Sequence, residues 1–354
     1  MEAISNFIVR RTRHSRLATV DFNQLEFGKY VSDHMLVSDY SNGEWDVPQL
    51  LPFANLSISP ASLALHYGQT VFEGMKAFRM PDGRTNIFRI DKHYDRLVKS
   101  LERMCMPVVP REVFFEGLQQ LVELDMEWIP AQEGCALYLR PFMYASEARF
   151  GIKISEQYRF IIFTGPVSEF YLRPIKVKVE RKYTRAAAGG TGYAKCGGNY
   201  GAAYYPTKLA REEGFDQVLW TDGRDHEFIE ESGMMNAMFV IDGKLVTPPL
   251  SESILDGVTR DSLLQIAKDL GQDYVERPIS VDELAHAFRN NTITEAFGVG
   301  TAAVVAPIET IQIDGINFHL PAYSHENVMF KLKGTLEAIR MGRSADVHGW
   351  NFVF

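Results

Sequence analysis

Only three of the 354 residues are cysteine, Cys105, Cys135 and Cys196, an odd number that contains no C-x-x-C pair. That excludes a disulfide framework and a cysteine-rich zinc site, and it points to a reducing, cytoplasmic setting. Long apolar runs are missing as well. The segment Phe160-Ile161-Ile162-Phe163 starts after Arg159 and stops at Thr164, far short of the roughly 20 apolar residues that a membrane helix requires. Positive charge is not in excess either: 37 Lys and Arg stand against 45 Asp and Glu, a formal net charge of -8. No basic footprint is left to neutralise a phosphate backbone, so nucleic acid and membrane are not expected as partners and a small molecule is.

The rest of the composition is that of an ordinary globular chain, with 46% hydrophobic and 23% charged residues and no internal repeat or low-complexity tract. At about 100–200 residues per domain, the length suggests two domains. Arg10, Arg11, Arg13 and Arg16 resemble the basic stretch of a transit peptide, but Ile8-Val9 and Leu17-Ala18-Thr19-Val20 flank them like folded chain.

The first half reads as an antiparallel sheet with two helices. Gly74 to Arg79, the turn Pro81-Asp82-Gly83 and the return Asn86 to Ile90 form a hairpin. Asp91 is placed to cap a helix carrying Tyr94, Leu97, Val98 and Leu101, and Pro110 opens another with Leu118, Leu121 and Val122. Ala136 to Arg140 and Arg159 to Thr164 read as strands. A small domain over 1–166, a linker over 167–174 and a large domain over 175–354 follow, the last opening with Ile175, Val177 and Val179 in alternation. Further strands are expected over Gln217–Thr221, Met238–Ile241, Lys244–Thr247, Ile293–Phe297 and Ala302–Val305, with a helix over Val258–Leu270. The class is α+β, or mixed α/β, with two domains.

Two motifs invite a nucleotide and fail. Gly298-Val299-Gly300-Thr301-Ala302-Ala303 matches G-x-G-x-x-A, yet Val304-Val305-Ala306-Pro307 follows it where a dinucleotide site needs a helix. The loop Gly189-Gly190-Thr191-Gly192-Tyr193-Ala194-Lys195-Cys196-Gly197-Gly198 is no P-loop, because Gly does not precede the lysine and Cys196 stands where Ser or Thr should hold magnesium. What remains is a lysine among residues of almost no bulk. A flat ligand can approach it closely, and its amine can meet a carbonyl carbon, so Schiff-base chemistry is the sharp alternative to an ordinary solvated loop cation.

The surroundings favour that alternative. Leu65-His66-Tyr67-Gly68, Phe72-Glu73-Gly74-Met75-Lys76-Ala77-Phe78, Asp95-Arg96, Leu137-Tyr138-Leu139-Arg140-Pro141, Lys195 with Gly197-Gly198-Asn199-Tyr200, Glu231 with Gly233, Gly257-Val258-Thr259-Arg260 and Gly300-Thr301-Ala302 occur in this order. In these fragments, which span nearly the whole chain, the sequence resembles the branched-chain amino acid aminotransferases. Those are two-domain enzymes of fold-type IV, the D-amino acid aminotransferase-like fold, which use pyridoxal 5'-phosphate.

The resemblance implies a role for each matched residue. Lys195 holds the cofactor covalently and then shuttles the proton at the substrate Cα. Glu231 pairs with the pyridine nitrogen; Glu230 beside it would face the other way in a strand. Arg96, Val258, Thr259 and Thr301 form the phosphate cup, and Tyr200 bonds the phenolic oxygen. Tyr67, Phe72 and Tyr138, with Thr301 and Ala302, line the substrate side-chain pocket. Arg140 lies two residues from Tyr138 on the same strand face and is placed to meet the second carboxylate of glutamate.

The implied reaction is transfer of the amino group of leucine, isoleucine or valine to 2-oxoglutarate, in a homodimer. D-amino acid transamination and aminodeoxychorismate lysis are the alternatives within the fold. The sequence departs from some members in two places: Ala303 and Ala306 replace a C-x-x-C redox pair, and Met234 replaces a polar residue found in some members, a change that bears on the breadth of the substrate pocket.

Overall fold

The computed structural model describes residues 7–168, 170–171 and 173–354. Positions 169 and 172 of the expected linker therefore lie outside the described residues. The chain forms two compact units. The first comprises Met1–Phe170, Ala194–Gly198 and Ile339–Phe354; the second comprises Tyr171–Tyr193 and Asn199–Ala338.

The first unit is built on a ten-stranded sheet. Its strands are β1 (Ile8–Val9), β2 (His34–Ser41), β3 (Glu44–Trp45), β4 (Gln49–Pro52), β5 (Thr70–Phe72), β6 (Met75–Arg79), β7 (Thr85–Phe88), β8 (Ala136–Ala145), β9 (Tyr158–Val167) and the closing strand Asn351–Val353. The order is β1-β4-β2-β9-β8-β6-β7 and then the closing strand, with β3 on β2 and β5 on β8. The expected hairpin is present, Arg79 pairing with Thr85 across the turn. Strands β8 and β9 run well beyond their expected ends, paired from Ala136–Val167 to Ala145–Tyr158.

The return strand stops at Phe88, two residues early. Arg89 adopts a left-handed conformation (φ 55°), and Ile90 opens α2 (Ile90–Arg103), leaving Asp91 in the first turn and not at the cap. Burial explains the register, since Ile90, His93, Arg96, Leu97, Ser100 and Leu101 make one continuous helical stripe facing the core. Helix α3 (Arg111–Leu124) starts after Pro110 as expected and buries Val113, Phe114, Leu118, Leu121 and Val122. A five-residue helix, α1 (Leu63–Tyr67), precedes β5.

The second unit has nine strands: β10 (Ile175–Glu180), β11 (Gln217–Thr221), β12 (Ile229–Ser232), β13 (Met235–Ile241), β14 (Lys244–Thr247), β15 (Tyr274–Glu276), β16 (Ile293–Gly300), β17 (Val304–Ile313) and β18 (Ile316–His319). The path β12-β11-β10-β17-β16-β13 returns to β12 through a further β12–β13 pairing, so six strands close on themselves. Their inner side chains, including Val177, Leu219, Ala237, Phe239, Ala296 and Ile311, form the core of this unit. Around them run α4 (Gly198–Glu212), α5 (Val258–Asp269), α6 (Val281–Arg289) and α7 (Val328–Arg340). Strand β17 begins two residues later than expected. Residues 301–303 form a turn, and Val304 enters the strand with φ 61°, an unusual conformation for a β-branched side chain.

Candidate active site

The segment Ala194–Gly198 joins the first unit through its backbone. Phe72 N–H donates to Lys195 O at 3.0 Å and Gly197 N–H to Thr70 O at 3.1 Å, while Lys195 N–H donates to Ser100 Oγ at 2.9 Å. Lys195 is thus pinned between β5 and α2. Its Nζ lies 4.8 Å from the centre of the Phe72 ring. Burial, reinforced by the charges of Arg96 and Arg140 and opposed by those of Glu73 and Tyr138, lowers its pKa to about 8.

Aromatic residues and the Arg140 guanidinium stand together on the Phe72 side of this amine. The Arg140 guanidinium sits 4.9 Å from the Phe72 ring centre and 5.2 Å from that of Tyr138, and its Nη2 donates to the Tyr138 hydroxyl at 3.1 Å. The Arg140 Nε is buried without a hydrogen-bond partner in the protein. Adjacent β8 positions of like parity share a face, so Tyr138 and Arg140 do lie together, and β5 supplies Phe72. A Cβ on Gly74 would collide with the Tyr138 hydroxyl, which explains why glycine follows Glu73 here. Phe27 was not singled out from the sequence, yet its ring stands 5.0 Å from Tyr138 and 5.2 Å from Phe170, edge-on in both cases. Only the left-handed Gly28 beside it (φ 78°) marks the position as a turn.

Arg96 is buried on α2 and is engaged by a carboxylate. Its Nε and Nη2 donate to Glu73 Oε1 and Oε2 at 2.7 and 2.8 Å.

In the second unit, β12 presents Glu231, which is only 3% exposed. Its Oε1 accepts from Leu255 N–H at 2.8 Å, and its Oε2 lies 3.3 Å from Arg185 Nε. Arg185, which pairs with this carboxylate, was not singled out from the sequence; it follows β10 in the run Arg181-Lys182-Tyr183-Thr184-Arg185, where nothing local distinguishes it. Glu230 is buried too, bonded by Ser253 Oγ, with Oε2 lacking a partner. Burial raises its pKa. Asn236, paired with Glu231 across β12 and β13, donates to Leu255 O at 2.9 Å. These bonds tie the Glu231 carboxylate to the segment that leads into α5.

Gly257 is the N-cap of α5 and no side chain caps the helix. Val258 and Thr259, both buried, therefore supply backbone N–H groups of the kind that bind anions. Thr301 and Ala302 sit partly buried in the turn between β16 and β17, and Tyr200 lies in the first turn of α4. Tyr200 lines a groove of about 420 Å³ with Tyr204, Trp220, Gly233 and Met234. Tyr67 is placed differently from Phe72 and Tyr138. It is 44% exposed at the end of α1, and its ring neighbour is His66.

A family model described as amino-transferase class IV matches residues 70–311, a span that contains every one of these residues except Phe27, Gly28, His66 and Tyr67. The chain belongs to the class IV aminotransferases. It is 42% identical over 334 residues to branched-chain-amino-acid aminotransferase 2 of Bacillus subtilis (strain 168), covering 93% of this chain and 92% of that one. Among solved structures, the branched-chain aminotransferase of Thermoproteus uzoniensis with norvaline matches with a TM-score of 0.74 and 25% identity, over 90% of this chain and 99% of that one. The branched-chain amino acid aminotransferase of Escherichia coli matches at 0.72 and 25%, over 90% and 98%. A further branched-chain amino acid aminotransferase, complexed with N-(5'-phosphopyridoxyl)-L-glutamate, matches at 0.72 and 26%, over 89% and 97%. The fold class expected from the sequence is the one found.

The side chains of this aminotransferase suit a flat, phosphorylated aldehyde. Lys195 offers a desolvated amine with lowered proton affinity, Glu231 a buried carboxylate, and α5 an uncapped N-terminus. Among the described residues no cluster of His, Cys, Asp and Glu could hold a metal ion.

Proposed function

We infer that this aminotransferase passes the amino group of leucine, isoleucine or valine to 2-oxoglutarate, with pyridoxal 5'-phosphate as its cofactor. The names of the Bacillus subtilis and Thermoproteus uzoniensis relatives support the amino-acid class, and the complex with phosphopyridoxyl glutamate supports the cofactor and glutamate as the second partner. The observation that carries the reading is the Lys195 amine, its pKa lowered to about 8, against the Phe72 ring with the Arg140 guanidinium beside it.

When bound, the cofactor supplies a carbonyl that takes up the amino group and a ring that withdraws electrons from the substrate Cα. Lys195 would hold it through Nζ, and its amine, when free, would move the proton at the substrate Cα. An amine with a pKa near 8 is neutral often enough to accept that proton and charged often enough to return it. Glu231 would hold a proton on the ring nitrogen, its carboxylate oriented by Arg185 Nε at 3.3 Å and by the bond from Leu255 N–H. Arg96, Val258, Thr259 and Thr301 bind the phosphate, and Tyr200 the phenolic oxygen. Phe72 and Tyr138 form the apolar wall for a branched side chain, completed by Tyr67, Thr301 and Ala302. Arg140 Nε receives the distal carboxylate of glutamate, which in an apolar pocket without a partner would lose several kcal/mol.

We further read the enzyme as a cytoplasmic homodimer. Bonds from Leu63 N–H to Glu147 O and from Arg149 N–H to Ala61 O lay α1 beside the loop that follows 149. That loop exposes Phe150 at 99% and Ile152 at 81%, apolar side chains that a second subunit would cover. The three cysteines form no disulfide, and no helix among the described residues is long and apolar enough to cross a membrane.

Purified protein should absorb visible light and convert leucine plus 2-oxoglutarate into glutamate. Borohydride reduction followed by peptide mass analysis should place the cofactor on Lys195. Turnover of D-alanine or D-leucine in place of the L-amino acids would transfer the enzyme to the D-amino acid class, and labelling of another lysine would remove Lys195 from its role.

A further inference from the structure

An arginine that binds phosphate must present its guanidinium in one orientation, and the assignment of Arg96 leaves open what holds it. Glu73 is fully buried, and Arg96 is 5% exposed. The carboxylate accepts two parallel bonds from Nε and Nη2, a planar fork that fixes the plane of the guanidinium. Glu73 is held in turn. Its Oε2 also accepts from His93 Nδ1 at 2.8 Å and from Gly74 N–H at 3.1 Å.

Burial by itself would push the Glu73 pKa up, but the Arg96 charge and the bonds from Arg96 and His93 outweigh it and keep the carboxyl ionised, below the usual carboxylate range. Burial also lowers the His93 pKa. A neutral imidazole beside a carboxylate carries its proton on Nδ1, so His93 acts as a fixed donor.

His93, Arg96 and Ser100 lie three and four residues apart on one face of α2. Ser100 Oγ donates to Arg96 O at 2.9 Å and accepts Lys195 N–H at 2.9 Å. The helix face that carries the guanidinium thus also sets the backbone of the lysine.

We propose that Glu73, oriented by His93, is the positioning residue that fixes the Arg96 guanidinium towards the cofactor phosphate. This rests on the assignment of Arg96 to that phosphate. The alternative use of the same fork is competition, in which Glu73 withholds Arg96 from the phosphate, and the two uses move phosphate affinity in opposite directions.

The test compares pyridoxal 5'-phosphate with pyridoxal, which has the same aldehyde and ring but no phosphate. The holoenzyme and its variants are exchanged into each, and both dissociation constants are read from visible absorbance. Glu73→Gln should lower the preference for the phosphorylated form at least tenfold and change pyridoxal binding less than threefold. His93→Leu should lower it about threefold, and His93→Gln, which keeps a donor, should restore most of that. An unchanged or increased preference in Glu73→Gln, or equal losses for both compounds, overturns the proposal. If Glu73→Gln does not fold, the His93 pair decides by the same ratio. Arg96→Met separates the two levels: a preference that survives it removes Arg96 from the phosphate, whereas a preference lost in Arg96→Met and kept in Glu73→Gln removes Glu73 alone.

Discussion

Replacing Lys195 by methionine should make the cofactor-stripped protein more stable while abolishing its activity. An unfolded lysine titrates near 10.4, whereas Lys195 in the folded protein titrates at about 8, chiefly because its amine is desolvated and secondly because Arg96 repels it. At about 1.4 kcal/mol for each tenfold change in proton affinity, the difference amounts to roughly 3 kcal/mol. The residue keeps some exposed surface, so screening reduces this to about 2–3 kcal/mol. The sign follows from proton counts. Below pH 8 both states hold the proton, and folding carries the full penalty of a buried ammonium. Between about pH 8 and 10.4 the unfolded state binds more protons than the folded state, so raising the pH favours the fold and removes the penalty. Methionine has similar bulk and no charge. Urea denaturation of stripped wild type and Lys195→Met should give a stability difference of about 2–3 kcal/mol in favour of the variant at pH 7, shrinking as pH rises towards 10. Subtraction of the two curves cancels the other titrating groups. A difference that does not vary with pH, or a variant less stable than wild type at pH 7, would refute the idea that the fold holds this amine under electrostatic strain.

Arg140→Met should slow the half-reactions of glutamate and 2-oxoglutarate by about 1.5–3 kcal/mol, the loss of a charge-assisted hydrogen bond, and spare leucine; equal losses in single-turnover kinetics would make Arg140 a structural residue. Glu231→Gln should still bind the cofactor and react much more slowly, whereas Glu230→Gln should not slow the single-turnover rate; reversed results would exchange the two roles. Arg185→Leu strands the buried Glu231 carboxylate, so the stability measured by denaturant should fall by about 3–5 kcal/mol, and a loss below about 1 kcal/mol would show the pair to be unimportant. Gly74→Ala forces the Tyr138 hydroxyl aside, so KM for leucine should rise with little change in cofactor affinity, and unchanged KM would mean that Tyr138 is not part of the pocket wall.

Local pattern determined much of this protein. The hairpin at Pro81-Asp82-Gly83, the break between the strands ending at Ile241 and beginning at Lys244, the alternation of Ile175, Val177 and Val179, and the start of α5 after Gly257 are all where the sequence places them. Each depends on neighbours a few residues apart, on turn chemistry or on a hydrophobic period. Lys195 stands out in the sequence because its surroundings are nearly all glycine and alanine, and the ordered fragments around it carried the family, which the match over residues 70–311 shows. Tertiary structure decided what depends on contacts between distant residues. No local pattern tells that the lysine segment bonds to Thr70, Phe72 and Ser100 and so counts with the first unit. None tells that β12 pairs with both β11 and β13 to close six strands. Phe27 and Arg185 acquire meaning only from the ring and the carboxylate they meet, and Glu73 read as part of a motif until the fold set its fork against Arg96. Composition counts a lysine as a base of pKa near 10.4; only burial beside two guanidinium groups brings it to about 8.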